Sequence, residues 1–112
     1  MSRTERPAIL QSTCTKVLTG CGSAYITVGF YENRPFEVFI ARGHTGSCTY
    51  SMNEALGRAV SVGLQSGVPV ENYIKTLTGI QCDRPLSFPK EQRCLSCADG
   101  LAKVLKECLH QS

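Results

Sequence analysis

The sequence predicts an α+β fold: a three-stranded antiparallel sheet followed by about three helices packed on one face. Two observations lead there. From Ala24 to Ala41 the apolar residues recur at a period of two around a short polar turn, and from about residue 50 the period becomes helical. The length of 112 residues sets the scale, since it supports one core burying roughly 65% of the unfolded surface and is too short for two. Hydrophobic residues at 42% and charged residues at 19% exclude a disordered chain, a collagen repeat and a coiled coil.

Residues 1–8 read as a flexible lead-in and 9–112 as the single domain. Ile9 to Leu18 is rich in apolar and β-branched residues and forms the first strand. Thr19-Gly20-Cys21-Gly22 is a turn. Ala24, Ile26, Val28 and Phe30 then alternate with Tyr25, Thr27, Gly29 and Tyr31, and Glu32-Asn33-Arg34-Pro35 reverses the chain into Phe36 to Ala41. In this third strand Phe36, Val38 and Ile40 share one face, with Glu37 and Phe39 on the other.

After the loop Gly43 to Cys48, the residues Met52, Leu56, Ala59, Val60 and Leu64 fall on one helical face. Ser51 with Glu54 three residues on has the form of a capping box, so the first helix is expected over about Tyr50 to Gln65. Ser66-Gly67 ends it. Pro69 opens a short second helix with Val70, Tyr73, Ile74 and Leu77 inward, ending near Gly79. Asp83 to Arg93, with two prolines and no periodicity, is loop. Ser96 and Asp99 cap a last helix whose inner face is Leu101, Val104, Leu105 and Cys108.

The compositional outlier is cysteine, seven in all. The stretch Met1 to Pro7 is polar with no apolar run of signal-peptide length behind it, and no segment approaches the ~20 apolar residues of a membrane span. A cytoplasmic, reducing setting is therefore expected, with thiols available for metal or redox chemistry. Basic residues exceed acidic by three but are scattered, and give no nucleic-acid stripe.

The cysteines fall into two groups. Cys14, within a strand, and Cys108, on an apolar helix face, read as core residues. Cys21, Cys48, Cys82, Cys94 and Cys97 lie in turns or at element ends, and a thiolate near a helix N-terminus, as expected for Cys48 and Cys97, is stabilised by unpaired amides and the macrodipole. Tetrahedral zinc needs four thiolate or imidazole ligands, and Cys21, Cys48, Cys82 and Cys97 are the candidate set, with Cys94 a possible replacement and His44 a possible second-shell partner. Four thiolates equally suit an iron–sulfur cluster. Cys94-x-x-Cys97 also has the spacing of a redox dithiol. Glu71 and Asp99 read as first-turn helix residues, and no serine elbow, carboxylate pair or dinucleotide fingerprint is present.

Arg6-Pro7, Thr19-Gly20-Cys21-Gly22, Tyr25-Ile26-Thr27-Val28 and Arg34-Pro35-Phe36-Glu37-Val38-Phe39-Ile40 resemble, in that order, the C-terminal region of adenosylcobalamin-dependent (class II) ribonucleotide reductases. Gly46-Ser47-Cys48, Glu54 to Arg58, Ser66 to Pro69 and Leu77 to Cys82 continue the resemblance. Ser96-Cys97-Ala98-Asp99 is similar to the core that names the TSCPD domain, with Leu95 and Ala98 standing where the name has threonine and proline.

The resemblance covers about residues 6–107 and implies a free-standing accessory domain connected with deoxynucleotide supply for DNA synthesis, with a ribonucleotide reductase or another redox protein as partner. The catalytic barrel of such enzymes does not fit in this length, so activity of the isolated chain is not implied. More distantly, the order of Cys21, Cys48 and Cys97 is similar to that of U-type iron–sulfur scaffold proteins. The expectation is thus a non-catalytic metal-binding domain, zinc favoured. The alternatives are an iron–sulfur scaffold or electron-transfer protein, a Cys94/Cys97 shuttle, and a regulatory module sensing a nucleotide near His44.

Overall fold

The computed structural model describes residues 2–19, 22–42, 47–82 and 94–110, and for 22, 42, 47–50 and 110 the backbone alone. Strands β1 (Gln11–Thr19), β2 (Gly22–Tyr31) and β3 (Arg34–Arg42) precede helices α1 (Ser47–Gln65), α2 (Val70–Leu77) and α3 (Cys97–His110). The sheet is antiparallel in the order β1-β2-β3, as the alternation predicts. Tyr31 pairs with Arg34 across a two-residue turn in which Glu32 and Asn33 both have positive φ, the conformation that matches strand twist in tight hairpins.

One sheet face makes the core. Ile26, Val28 and Val38 pack with Val60 and Leu64 of α1, Val70 and Leu77 of α2, and Leu101, Val104, Leu105 and Cys108 of α3. Helix α3 lies over the sheet, where Gly100 leaves room for the side chains of Val17, Cys94 and Ile26. Helix α1 lies along β3: Ser61 Oγ accepts the Val38 N–H at 2.9 Å and donates to the Val38 carbonyl at 3.2 Å. Gly57 permits this approach, since a Cβ there would stand 3.2 Å from the Val38 carbonyl oxygen. Among the described residues no helix is long and apolar enough to cross a membrane.

The α1 terminus and its buried face differ from expectation. The helix begins at Ser47, so Ser51 and Glu54 lie inside it, where Ser51 is exposed and Glu54 pairs with Arg58. Met52 is 69% exposed and Ala59 is exposed too; the buried residues among those described are Asn53, Gly57, Val60, Ser61, Leu64 and Gln65. Packing on the β3 edge favours small and hydrogen-bonding residues there, which rotates the buried stripe away from Met52. Gly67 closes the helix as expected, with positive φ and with Val68 N–H and Gly67 N–H donating to the Gly63 and Leu64 carbonyls.

Cys14 is a second correction. Its partner in the sheet is Thr27, on the face away from the core that also carries Lys16 and Tyr25, and its side chain is exposed. Cys108 is buried as expected. Residues 2–8, expected as a flexible lead-in, have no regular strand or helix, yet three of them bond to the core. Thr4 N–H donates to the Gln65 carbonyl, Arg3 Nε to Gln65 Oε1, and Arg6 holds both oxygens of the buried Glu37 carboxylate at 2.7 and 2.8 Å.

Candidate functional site

The start of α3 is built as Ser96 and Asp99 predict. Ser96 Oγ accepts the Asp99 N–H at 3.0 Å, capping the first turn, and donates to the Ile80 carbonyl. The buried Asp99 carboxylate reaches back to the N–H groups of Leu95 at 3.0 Å and Gly79 at 2.9 Å. Burial by itself would push this carboxyl up; the two amide donors and Lys103 outweigh it and hold Asp99 below the usual carboxylate range. The result is a rigid corner joining the exit of α2 to the entry of α3.

Three of the candidate cysteines belong to this corner. Cys97 is the first residue of α3. Cys82 is joined to the same segment by its N–H, which donates to the Leu95 carbonyl at 3.0 Å. Cys94, two residues before the Ser96 cap, is 2% exposed and donates its S–H to the Ser96 carbonyl at 3.2 Å. Burial pushes the Cys94 thiol above its ordinary range; Lys103 and the Ser96 bond offset part of this, while Asp99 and Cys97 add to it.

Helix α1 reaches the corner through the buried Asn53, whose Nδ2 donates to Cys97 Sγ at 3.6 Å. Cys48 is the second residue of that helix. Cys21 and His44 lie outside the described residues, as does the Cys48 side chain. Among the described residues no three His, Cys, Asp or Glu side chains form a group that could hold a metal ion. What the structure does bring together is the Cys82 backbone, the buried Cys94, and Cys97 with Asn53 against it.

Asn53 is the residue that sequence reasoning missed. Its signal is a polar side chain one turn before Gly57 on the packed face of α1, a face that the apolar periodicity through Met52 does not mark. Asn53 also lines a groove of about 650 Å³ between α1, β3 and the N-terminal segment, walled by Phe39, Arg3 and Arg58. Arg6 and Glu37 line it too, and their contact joins residues 31 apart and leaves no local mark in the sequence.

A family model described as the TSCPD domain matches residues 2–109. The chain is 37% identical over 68 residues to a vitamin B12-dependent ribonucleotide reductase of Streptantibioticus cattleyicolor, a match that spans 60% of this chain and 11% of that protein. It is 37% identical over 71 residues to the enzyme of that name from Rhodopirellula baltica, covering 62% of this chain and 7% of the relative. With the one from Agrobacterium fabrum it shares 32% identity over 77 residues, 68% of this chain and 6% of the relative. The chain thus corresponds to a small part of the curated relatives it matches. No solved structure matches it.

Proposed function

Because the chain belongs to the TSCPD domain family, we propose that it is a metal-binding accessory domain, related to vitamin B12-dependent ribonucleotide reductases and non-catalytic by itself. In this reading the thiolates of Cys21, Cys48, Cys82 and Cys97 hold zinc, and the domain acts beside a partner reductase. The observation that carries it is the contact of Asn53 with Cys97, which brings the helix that opens at Ser47-Cys48 onto the segment holding Cys82 and Cys97. An amide N–H donated to sulfur is the outer-shell bond that orients a thiolate ligand. When bound, zinc would supply a cross-link between elements far apart in sequence. Ser96 and Asp99 hold the Cys97 backbone in place beforehand, and Asn53 fixes its sulfur.

A Cys94/Cys97 dithiol shuttle is less well supported. Thiol exchange requires an accessible thiolate, whereas Cys94 is buried and its proton is held more tightly than usual.

The test is elemental analysis with a visible spectrum on protein purified anaerobically without a metal-affinity tag. About one zinc per chain, lost in both Cys48→Ser and Cys97→Ser with a lower melting temperature, is the expected result. Iron with acid-labile sulfide would replace zinc by a cluster on the same ligands. Absence of metal, or unchanged metal content in Cys48→Ser, would overturn the reading.

A further inference from the structure

The groove between α1, β3 and the N-terminal segment carries more positive charge than its own carboxylates balance. Three arginines and two glutamates line it. Arg6 holds the buried Glu37 carboxylate through two nitrogens, at 2.7 and 2.8 Å. Arg58 meets Glu54 at 3.0 Å in a pair exposed on both sides, which contributes little, so its guanidinium can turn to another anion. Arg3 is held through its Nε by Oε1 of the buried Gln65, a neutral acceptor.

Beside this charge lies apolar surface. Phe39, 55% exposed, and Val62, 44% exposed, both line the groove. Val62 stands one helical turn before Gln65, the residue that positions Arg3, so apolar surface and guanidinium are neighbours. The volume of about 650 Å³ falls within the roughly 300–1,000 Å³ of small-molecule sites, and the α1 wall from Asn53 to Gln65 is roughly 18 Å long.

We propose that this groove binds a small apolar monocarboxylate, with its charge on Arg3 and its body over Phe39 and Val62. Charge selects the class. A neutral hydrocarbon would take the Arg3 guanidinium out of water without replacing its hydrogen bonds. A phosphate chain would set several negative charges against Glu37 and Glu54. One carboxylate balances the lining and suits the planar fork of a guanidinium. A peptide added as a strand is disfavoured, because the Val38 N–H and carbonyl that it would need are already bonded to Ser61 on the facing wall. The proposal does not rest on what the cysteines bind.

Fluorescence titration of the full chain with anilinonaphthalene sulfonate, an aryl monoanion, tests it. Saturable binding at one site per chain is expected, displaced by naphthoate or by decanoate and not by naphthamide, which has the ring without the charge. Displacement by naphthoate alone would identify a flat aromatic body, and by decanoate alone an acyl chain. Arg3→Gln should weaken the probe about threefold to thirtyfold, and more at low salt than at high, since the site is open to water. Val62→Glu, at a half-exposed position outside the Arg3 contacts, should weaken it as much while leaving the circular dichroism spectrum unchanged. No saturable binding, equal displacement by naphthamide, affinity unchanged in both variants, or a dimer that excludes the probe from the groove would overturn the proposal.

Discussion

The Asp99 carboxylate accepts the backbone N–H of Gly79, twenty residues upstream, at 2.9 Å. Its other oxygen takes the N–H of Leu95, so a single side chain closes the corner that carries Cys97. Asp99→Asn sets an amide N–H where an acceptor is needed, and is expected to cost about 1–3 kcal/mol in urea denaturation. Because the folded-state carboxyl is held below its ordinary value, its contribution is complete above the ordinary carboxyl range and is lost as pH falls through the depressed value. The stability gap between wild type and Asp99→Asn should therefore narrow in acid; a constant gap would contradict the ionised corner.

The Arg6–Glu37 pair anchors the N-terminal segment. Glu37 is buried, while the Arg6 side chain is 45% exposed. Arg6→Ala leaves a buried carboxylate without its partner and should lower the melting temperature, by less than for a fully buried pair because water reaches Arg6. Adding Glu37→Gln to Arg6→Ala should restore part of the loss. If the double variant is no more stable than the single one, the contact is not an anchoring charge pair.

Gly63 separates packing from propensity. Alanine there would gain about 1 kcal/mol on helix propensity. Its Cβ, however, would run into the Tyr73 hydroxyl and ring. Gly63→Ala is expected to lower the melting temperature, with partial recovery in Gly63→Ala/Tyr73→Phe. A stabilised single variant would show that Tyr73 does not hold α2 against α1.

Thiol reactivity should follow burial. Among the described cysteines, Cys14 is expected to react first with a thiol reagent under native conditions, and Cys94 and Cys108 only on unfolding. Burial also pushes the Cys108 thiol up, with a Thr13 side-chain hydrogen bond opposing it. Its stabilising contribution is therefore present below the ordinary thiol range and fades as pH rises through the raised value. Cys108→Ala should flatten the alkaline limb of the stability profile; an unchanged limb would assign that limb to other groups.

The hairpin, the α2 start at Val70 and the α3 cap were legible because each is set by residues within a few positions of one another. Alternation fixes a strand's two faces, Glu32-Asn33 fixes the turn, and Ser96 with Asp99 fixes a helix start. The candidate site was legible only in part. The place of Cys97 at the start of α3 followed from local signals, whereas Cys48, expected in the loop before α1, lies in its first turn, and the meeting of Cys97 with Asn53 joins positions 44 apart and depends on where α1 rests.

By itself the sequence determined the order of strands and helices, the α+β class and the family, all consequences of local periodicity, capping and motif order. Tertiary structure decided which stripe of α1 is buried, which side of β1 bears Cys14, and that Arg6 neutralises Glu37. The reason is physical. A one-residue change of register or a turn of a helix through one position exchanges buried and exposed side chains while leaving the local pattern intact, so only the long-range packing of α1 on β3 could choose.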